Sequence, residues 1–211
     1  MEWRWFSLER VISSTERGME LFPADLFKKL KRGPQVITLK DCALISAFTG
    51  LQSGDIAVDA GAGSGFLAIY LGSIVAPAGK VYSYEWREEF ASLAEKNVEK
   101  AGLSQVVEIK RKNIFDGIGE KHVDLVTLDL ADAEKALENA RDCLKQEGWI
   151  VGYFPNVEQV KSFVLRAEEI GLRHEKTVES IVREMLVRPY GVRPQTKGLL
   201  HTGYLVFLRK K

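Results

Sequence analysis

Between residues 54 and 154, short apolar runs alternate with longer stretches in which apolar positions recur every three or four residues. Asp55 to Ala60 (DIAVDA) is a short apolar run that stops at glycines, as a buried strand does. Ser64 to Val75 (SGFLAIYLGSIV) then reads as a helix, and Ala76-Pro77-Ala78-Gly79 ends it. Val81 to Glu85 predicts a second strand, and Arg87 to Ala101 a charged amphipathic helix closed by Gly102. Val106–Arg111, Val123–Leu130 and Trp149–Phe154 predict three more strands, with helical periodicity over Asp132–Leu144 between the last two. Asn156 can cap a helix running to Ile170, which Gly171 ends. Beyond it the pattern changes. Leu172–Val187 and His201–Arg209 read as two long strands joined by a Pro/Gly-rich loop.

Strands alternating with helices imply right-handed βαβ units, and so an α/β fold: a mostly parallel sheet with helices on both faces. The two last strands suit an antiparallel closing pair. Residues 1–35 follow the pattern less well, and Trp3, Trp5 and Phe6 predict the start of a small strand-rich appendage. The expected organisation is an appendage over 1–35 and one domain over 36–211.

Composition narrows the classes. The 211 residues are 45% hydrophobic and 28% charged, as in a soluble globular chain, and exclude wholesale disorder. No apolar run approaches the ~20 residues that span a bilayer. No secretory signal pattern is visible at the N-terminus, so the expected compartment is the cytoplasm. Cys42 and Cys143 lack CxxC or Cys/His spacing, so neither a disulfide framework nor a metal site is expected. The formal charge of +1 hides an asymmetry. Residues 1–40 carry +3, residues 41–180 carry −8 and residues 181–211 carry +6. Basic ends on an acidic middle are compatible with solvated tails or with local contacts to a polyanion.

The sharpest motif is Asp59-Ala60-Gly61-Ala62-Gly63-Ser64-Gly65, between the first strand and the first helix. Glycines there permit a tight turn and close approach of a ligand to the backbone, while the helix N-terminus offers free N–H groups. Glu85 ends the second strand, where an acid can accept hydrogen bonds from both hydroxyls of a ribose. Turn plus acid predicts a nucleoside-containing cofactor at the C-terminal ends of the strands. A dinucleotide fingerprint wants GxGxxG, but Phe66 follows Gly65 and the third glycine comes one residue early. Asn113, after the third strand, stands where a polar side chain can reach an adenine amine, or can simply form a turn.

The spelling VDAGAGSG resembles the first motif of class I S-adenosylmethionine-dependent methyltransferases. Further stretches are more specific: Arg32-Gly33-Pro34-Gln35-Val36-Ile37 before Lys40-Asp41, Leu128-Asp129-Leu130, and Arg193-Pro194 leading to His201-Thr202-Gly203-Tyr204. Together these resemble the tRNA (adenine-N1)-methyltransferases that modify the T-loop, especially their archaeal branch, over roughly residues 20 to 211. The resemblance implies a Rossmann-like, seven-stranded, mostly parallel sheet with an antiparallel C-terminal strand. It also implies S-adenosyl-L-methionine as cofactor, tRNA as partner and a homotetramer. Asp129 would be catalytic. A carboxylate accepting a hydrogen bond from adenine N6, or its proton as methyl transfers, raises electron density at the weakly nucleophilic N1. Gln35, Asp59, Gly61, Gly63, Ser64, Gly65, Phe66, Glu85, Asn113 and Ile114 would bind the cofactor with Asp129. Arg193, Lys197 and His201 would lie on the RNA side, the first two as phosphate contacts.

Four features depart from that family. Ala131 follows Leu130 where relatives have proline, Thr38 stands where they commonly carry Tyr or His, Asn113 replaces an acid, and few residues precede Arg32. The alternatives these leave open are a non-catalytic tRNA-binding partner subunit and a class I methyltransferase with another acceptor.

Overall fold

The computed structural model describes residues 23–33, 36–198 and 201–211. Trp3, Trp5, Phe6 and Gln35 lie outside the described residues. Among those described, six helices, α1 (Pro23–Lys29), α2 (Leu39–Thr49), α3 (Phe66–Val75), α4 (Glu88–Lys100), α5 (Leu137–Cys143) and α6 (Val157–Glu169), alternate with nine strands. The strands are β1 (Ile56–Ala60), β2 (Lys80–Tyr84), β3 (Val107–Lys110), β4 (Val123–Leu128), β5 (Leu144–Phe154), β6 (Arg173–Glu179), β7 (Met185–Arg188), β8 (Gly191–Pro194) and β9 (Tyr204–Arg209).

Seven strands form one sheet in the order β3-β2-β1-β4-β5-β9-β6. β1 to β5 run parallel, and β9 inserts antiparallel between β5 and β6. The order reverses at β1 and β4, which opens a crevice at their C-terminal ends, the ligand position of doubly wound sheets. Successive strand residues face opposite layers. Ala57, Leu125, Val151 and Phe207 pack with α1, α2 and α3 on one face. Val58, Val126, Ile150 and Val206 pack with α5 and α6 on the other. α1 anchors the N-terminal side: Leu26, Phe27 and Leu30 are buried, and the Phe27 ring meets Phe66 edge-on at 4.8 Å.

Three expected elements are corrected. Leu172–Val187 is not one long strand. β6 pairs with β9 only from Arg173 to Glu179, because β9 supplies no residues beyond Tyr204 to continue the ladder. The chain then leaves the sheet, and Met185–Arg188 pairs instead with Gly191–Pro194 as a separate hairpin. His201 precedes β9 rather than starting it. The stretch Asp132–Leu144 is divided into a 3-10 turn, Ala133–Ala136, and α5.

Candidate active site

The glycine turn is built by β1, β2 and β4 together. Gly61 and Ala62 donate their N–H groups to the Tyr84 carbonyl, at 3.1 and 3.2 Å, so the chain folds over the end of β2. Gly61, Gly63 and Gly65 all have positive φ, at 90°, 52° and 80°. At Gly61 the requirement is doubled: a Cβ would come 2.3 Å from the Asp129 carbonyl oxygen. The turn therefore carries glycine because β4 arrives against it. Asp59 sits beneath, fully buried, accepting hydrogen bonds from Ser83 on β2 (2.6 Å) and Thr127 on β4 (2.8 Å). Burial raises its pKa, the two hydroxyls counter the rise, and Glu85 adds to it. Asp59 thus staples three strands rather than lining the cleft.

The cleft above holds about 490 Å³ and is lined by Gly61, Gly63, Ser64, Glu85, Asn113 and Asp129 among others. That size suits a small-molecule site, typically ~300–1,000 Å³. Ile114 also lines it, whereas Gly65 and Phe66 do not: Gly65 packs on Ala94 of α4, and Phe66 is a core residue. Glu85 is almost entirely buried, yet its pKa is lowered. Desolvation pushes it up, but the Arg87 side chain and the Arg87 and Gly63 N–H groups together outweigh that. The Arg87 guanidinium grips both carboxylate oxygens, Nε to Oε1 at 2.9 Å and Nη2 to Oε2 at 3.1 Å, and stacks 4.2 Å from the Phe90 ring centroid. Glu85 is consequently oriented and ionised at the end of β2, its oxygens taken up by the Gly63 N–H and by the backbone and guanidinium of Arg87.

Asp129 follows β4, its N–H bonded to the Ala60 carbonyl at 3.0 Å. Its carboxyl has the opposite character. Desolvation by the surrounding walls, and secondarily the Asp59 charge, raise its pKa to about 7. The residue remains open to cleft water, so the full shift develops when a ligand fills the cleft and displaces that water. The cleft therefore holds one carboxylate fixed in the charged state and one poised near neutrality.

Two supports join remote chain segments to the turn. Ser64 Oγ accepts the Gly33 N–H at 3.2 Å. The buried Asn97 of α4 donates to the Ser64 carbonyl (2.8 Å) and the Lys31 carbonyl (2.9 Å), and accepts the Lys31 N–H (3.1 Å). Asn113 accepts the Phe115 N–H at 3.1 Å, as the cap of a 3-10 turn, so its oxygen serves the loop while the residue still borders the cleft. Sequence reading missed Arg87 and Asn97. Polar residues in a helix region have ordinary surface roles, and only the fold brings these two to Glu85 and Ser64.

Arg193 and Lys197 do not reach the cleft. They line a second cavity of about 1070 Å³ with Thr38, Lys40 and Thr202. His201 borders neither cavity: its ring bonds Glu179 Oε1 at 2.6 Å and the Pro155 carbonyl at 3.1 Å, tying the chain before β9 to β6. The Glu179 hydrogen bond, then that to Pro155, raises the His201 pKa.

Comparison with known proteins agrees with this geometry. A family model described as "tRNA methyltransferase complex GCD14 subunit" matches residues 24–194. A tRNA (adenine(57)-N(1)/adenine(58)-N(1))-methyltransferase TrmI of Methanocaldococcus jannaschii is 36% identical over 212 residues, covering 88% of this chain and 75% of that one. The solved tRNA (m1A58) methyltransferase TrmI of Aquifex aeolicus superimposes with a TM-score of 0.79 at 26% identity, over 88% of this chain and 74% of that one. A solved S-adenosylmethionine-dependent O-methyltransferase of Thermotoga maritima gives 0.83 at 33% identity, over 90% and 71%. The sheet order, the glycine cradle and the two unlike carboxylates stand on a class I methyltransferase scaffold, and the chain belongs to the GCD14 tRNA methyltransferase family.

Proposed function

We propose that the chain transfers the methyl group of S-adenosyl-L-methionine to N1 of an adenine in the T-loop of tRNA, with Asp129 as the catalytic acid–base residue. The observation that carries this is the placement of Asp129: its backbone bonds the glycine turn while its carboxyl opens into the cleft that Glu85 also borders. Similarity to tRNA adenine-N1 methyltransferases supports the acceptor.

The residues present fit the cofactor. Gly61, Gly63 and Ser64 line the wall without a bulky side chain, and Glu85 is a buried anion at the end of β2 whose oxygens a vicinal diol would take from the Arg87 guanidinium. When bound, S-adenosyl-L-methionine supplies a methyl group activated by its sulfonium. The chain's own part is positioning and proton handling. Arg87 keeps Glu85 oriented and ionised, Asn97 and Ser64 hold the segment through Gly33 against the turn, and the walls exclude water. Asp129 accepts a hydrogen bond from the adenine N6 amine, or its proton as N1 gains the methyl. A pKa near the working pH suits that role, and holding the base in line with the methyl supplies much of the remaining rate. The base has to leave its stack to enter the cleft.

The same reading takes the chain as a cytoplasmic homotetramer, with residues 1–35 an appendage anchored through α1, and with Arg193 and Lys197 on the RNA side. Among the described residues, no helix is long and apolar enough to cross a membrane. The test is methyl transfer from labelled S-adenosylmethionine to unmodified tRNA, followed by nucleoside analysis. The expected product is 1-methyladenosine. Cofactor binding with no labelled adenosine would instead identify a non-catalytic partner subunit.

A further inference from the structure

The second cavity lies apart from the cofactor cleft, between the N-terminus of α2 and the arm that leaves the sheet after β6. The least exposed of its lining cations is Lys40. The ammonium donates to Asp41 Oδ1 at 2.7 Å and to Thr202 Oγ1 at 2.6 Å, linking positions 162 apart in sequence. Asp41 is wholly buried, and its other oxygen accepts the Thr38 hydroxyl at 2.8 Å. Thr202 is fixed in turn, because its carbonyl accepts the Tyr153 hydroxyl at 2.6 Å. Gly203 makes this possible: a Cβ there would come 2.6 Å from the Tyr153 ring. Two of the ammonium's three donors go to these partners, and its side chain, 17% exposed, borders the cavity.

The rest of the cavity gives this cation a context. Arg183, Arg193 and Lys197 line the same space, and Glu184 is the one acid among its lining residues. The same lining carries exposed aliphatic side chains, Ile181 and Val182. Positive charge and apolar surface in one cavity fit a single-stranded polynucleotide, whose phosphates and bases need both. A surface lysine pays for its own ordering on binding, whereas Lys40 is already immobilised by a buried carboxylate and a hydroxyl.

We propose that this cavity is the groove for the strand carrying the target nucleotide, and that Lys40, held by Asp41 and Thr202, is its fixed phosphate contact. The proposal deepens the reading above and rests on it for the identity of the RNA, but the groove can be tested without methyl transfer. The full chain is titrated into a labelled single-stranded oligoadenylate by fluorescence anisotropy over a salt series. In Lys40→Met the slope of log affinity against log salt should shrink by about 0.7, one phosphate contact on a single strand, with affinity about tenfold weaker at low salt. S-adenosylmethionine affinity should be unchanged. Thr202→Val keeps the charge but frees it, so the slope should hold while affinity falls about threefold. Lys197→Gln, on an exposed position, should also shrink the slope, and decides the matter if Lys40→Met does not fold. Unchanged slopes in Lys40→Met and Lys197→Gln overturn the groove, whether or not tRNA is methylated. A change in sedimentation mass of Lys40→Met with RNA binding intact also overturns it, by making the cavity an interface between copies. Slopes as expected without methyl transfer to tRNA remove the adenine-N1 reading and leave the groove standing.

Discussion

Asp129, the proposed catalytic residue, sits where its charge costs stability. With the cleft filled, its pKa rises to about 7, well above the ordinary carboxylate value, because the cleft walls, and then Asp59, disfavour its charge. A folded-state pKa raised above the unfolded one means that the folded chain holds the proton more tightly. The contribution to stability is present below about pH 4 and is lost as pH rises through about 7. With S-adenosylmethionine in the cleft, Asp129→Asn should therefore gain melting temperature over the wild type between these limits, with the gain level above pH 7; a gain independent of pH would contradict the assignment. The same variant should lose about 10²–10⁴-fold in kcat, the usual worth of a general acid–base group, while cofactor affinity changes little. Wild-type kcat should climb with pH toward a plateau above 7, because the base works ionised. Gly61 packs against the backbone of the same acid. Gly61→Ala meets both a positive φ, worth about 1–2 kcal/mol, and the Asp129 carbonyl. It should lower the melting temperature and weaken cofactor binding together, which calorimetry on one sample can check.

At the scale of elements, the sheet's parallel half was legible because its signals are local. The DAGAGSG turn, the apolar runs of β1, β2 and β4, and Gly102 and Gly171 after their helices each mark a boundary within a few residues of sequence. The end of β6 carries no such mark. Ile181, Val182 and Leu186 continue a strand-like composition, but the ladder stops where β9 stops, and that partner lies remote in sequence. The site divides in the same way. Gly61, Glu85 and Asp129 follow from strand ends, whereas Asn97 looks like one polar residue on an amphipathic helix and acts only through Lys31 and Ser64. Asn97→Ala should cost about 2 kcal/mol, since it strands buried backbone groups at both segments. The melting temperature should fall by roughly 4–8 °C. Cofactor affinity should fall as well, because Gly33 and Ser64 border the cleft. A stability loss with unchanged affinity would separate α4 from the site.

For the whole molecule, the +6 at residues 181–211 divides between two places. Arg183, Arg193 and Lys197 of the basic stretch line the second cavity, whereas Arg209 bonds Glu147 and Lys210 bonds the Arg141 and Leu144 carbonyls at the far end of β9. The hairpin β7–β8 poses a separate problem. A two-stranded hairpin is marginal in water by itself, and the pairings Val187↔Val192 and Met185↔Pro194 put their side chains on one face. Val187 is 77% exposed and Val192 60%, so this face is an apolar patch of the kind that marks association. The proposed homotetramer gives the patch an occupant, a second copy of the hairpin, and the hairpin tip is free to pair because only its base residues, Arg193 and Pro194, line the cavity. Apolar association should persist as salt rises while RNA affinity declines, which separates the two uses of the arm. Val187→Lys with Val192→Lys places like charges directly opposite each other across the hairpin and against any partner copy. In sedimentation this double variant should run as a smaller species than the wild type, with cofactor affinity unchanged because neither residue borders the cleft. A wild-type mass for the double variant would show that the copies meet elsewhere and that the hairpin is held by something other than itself.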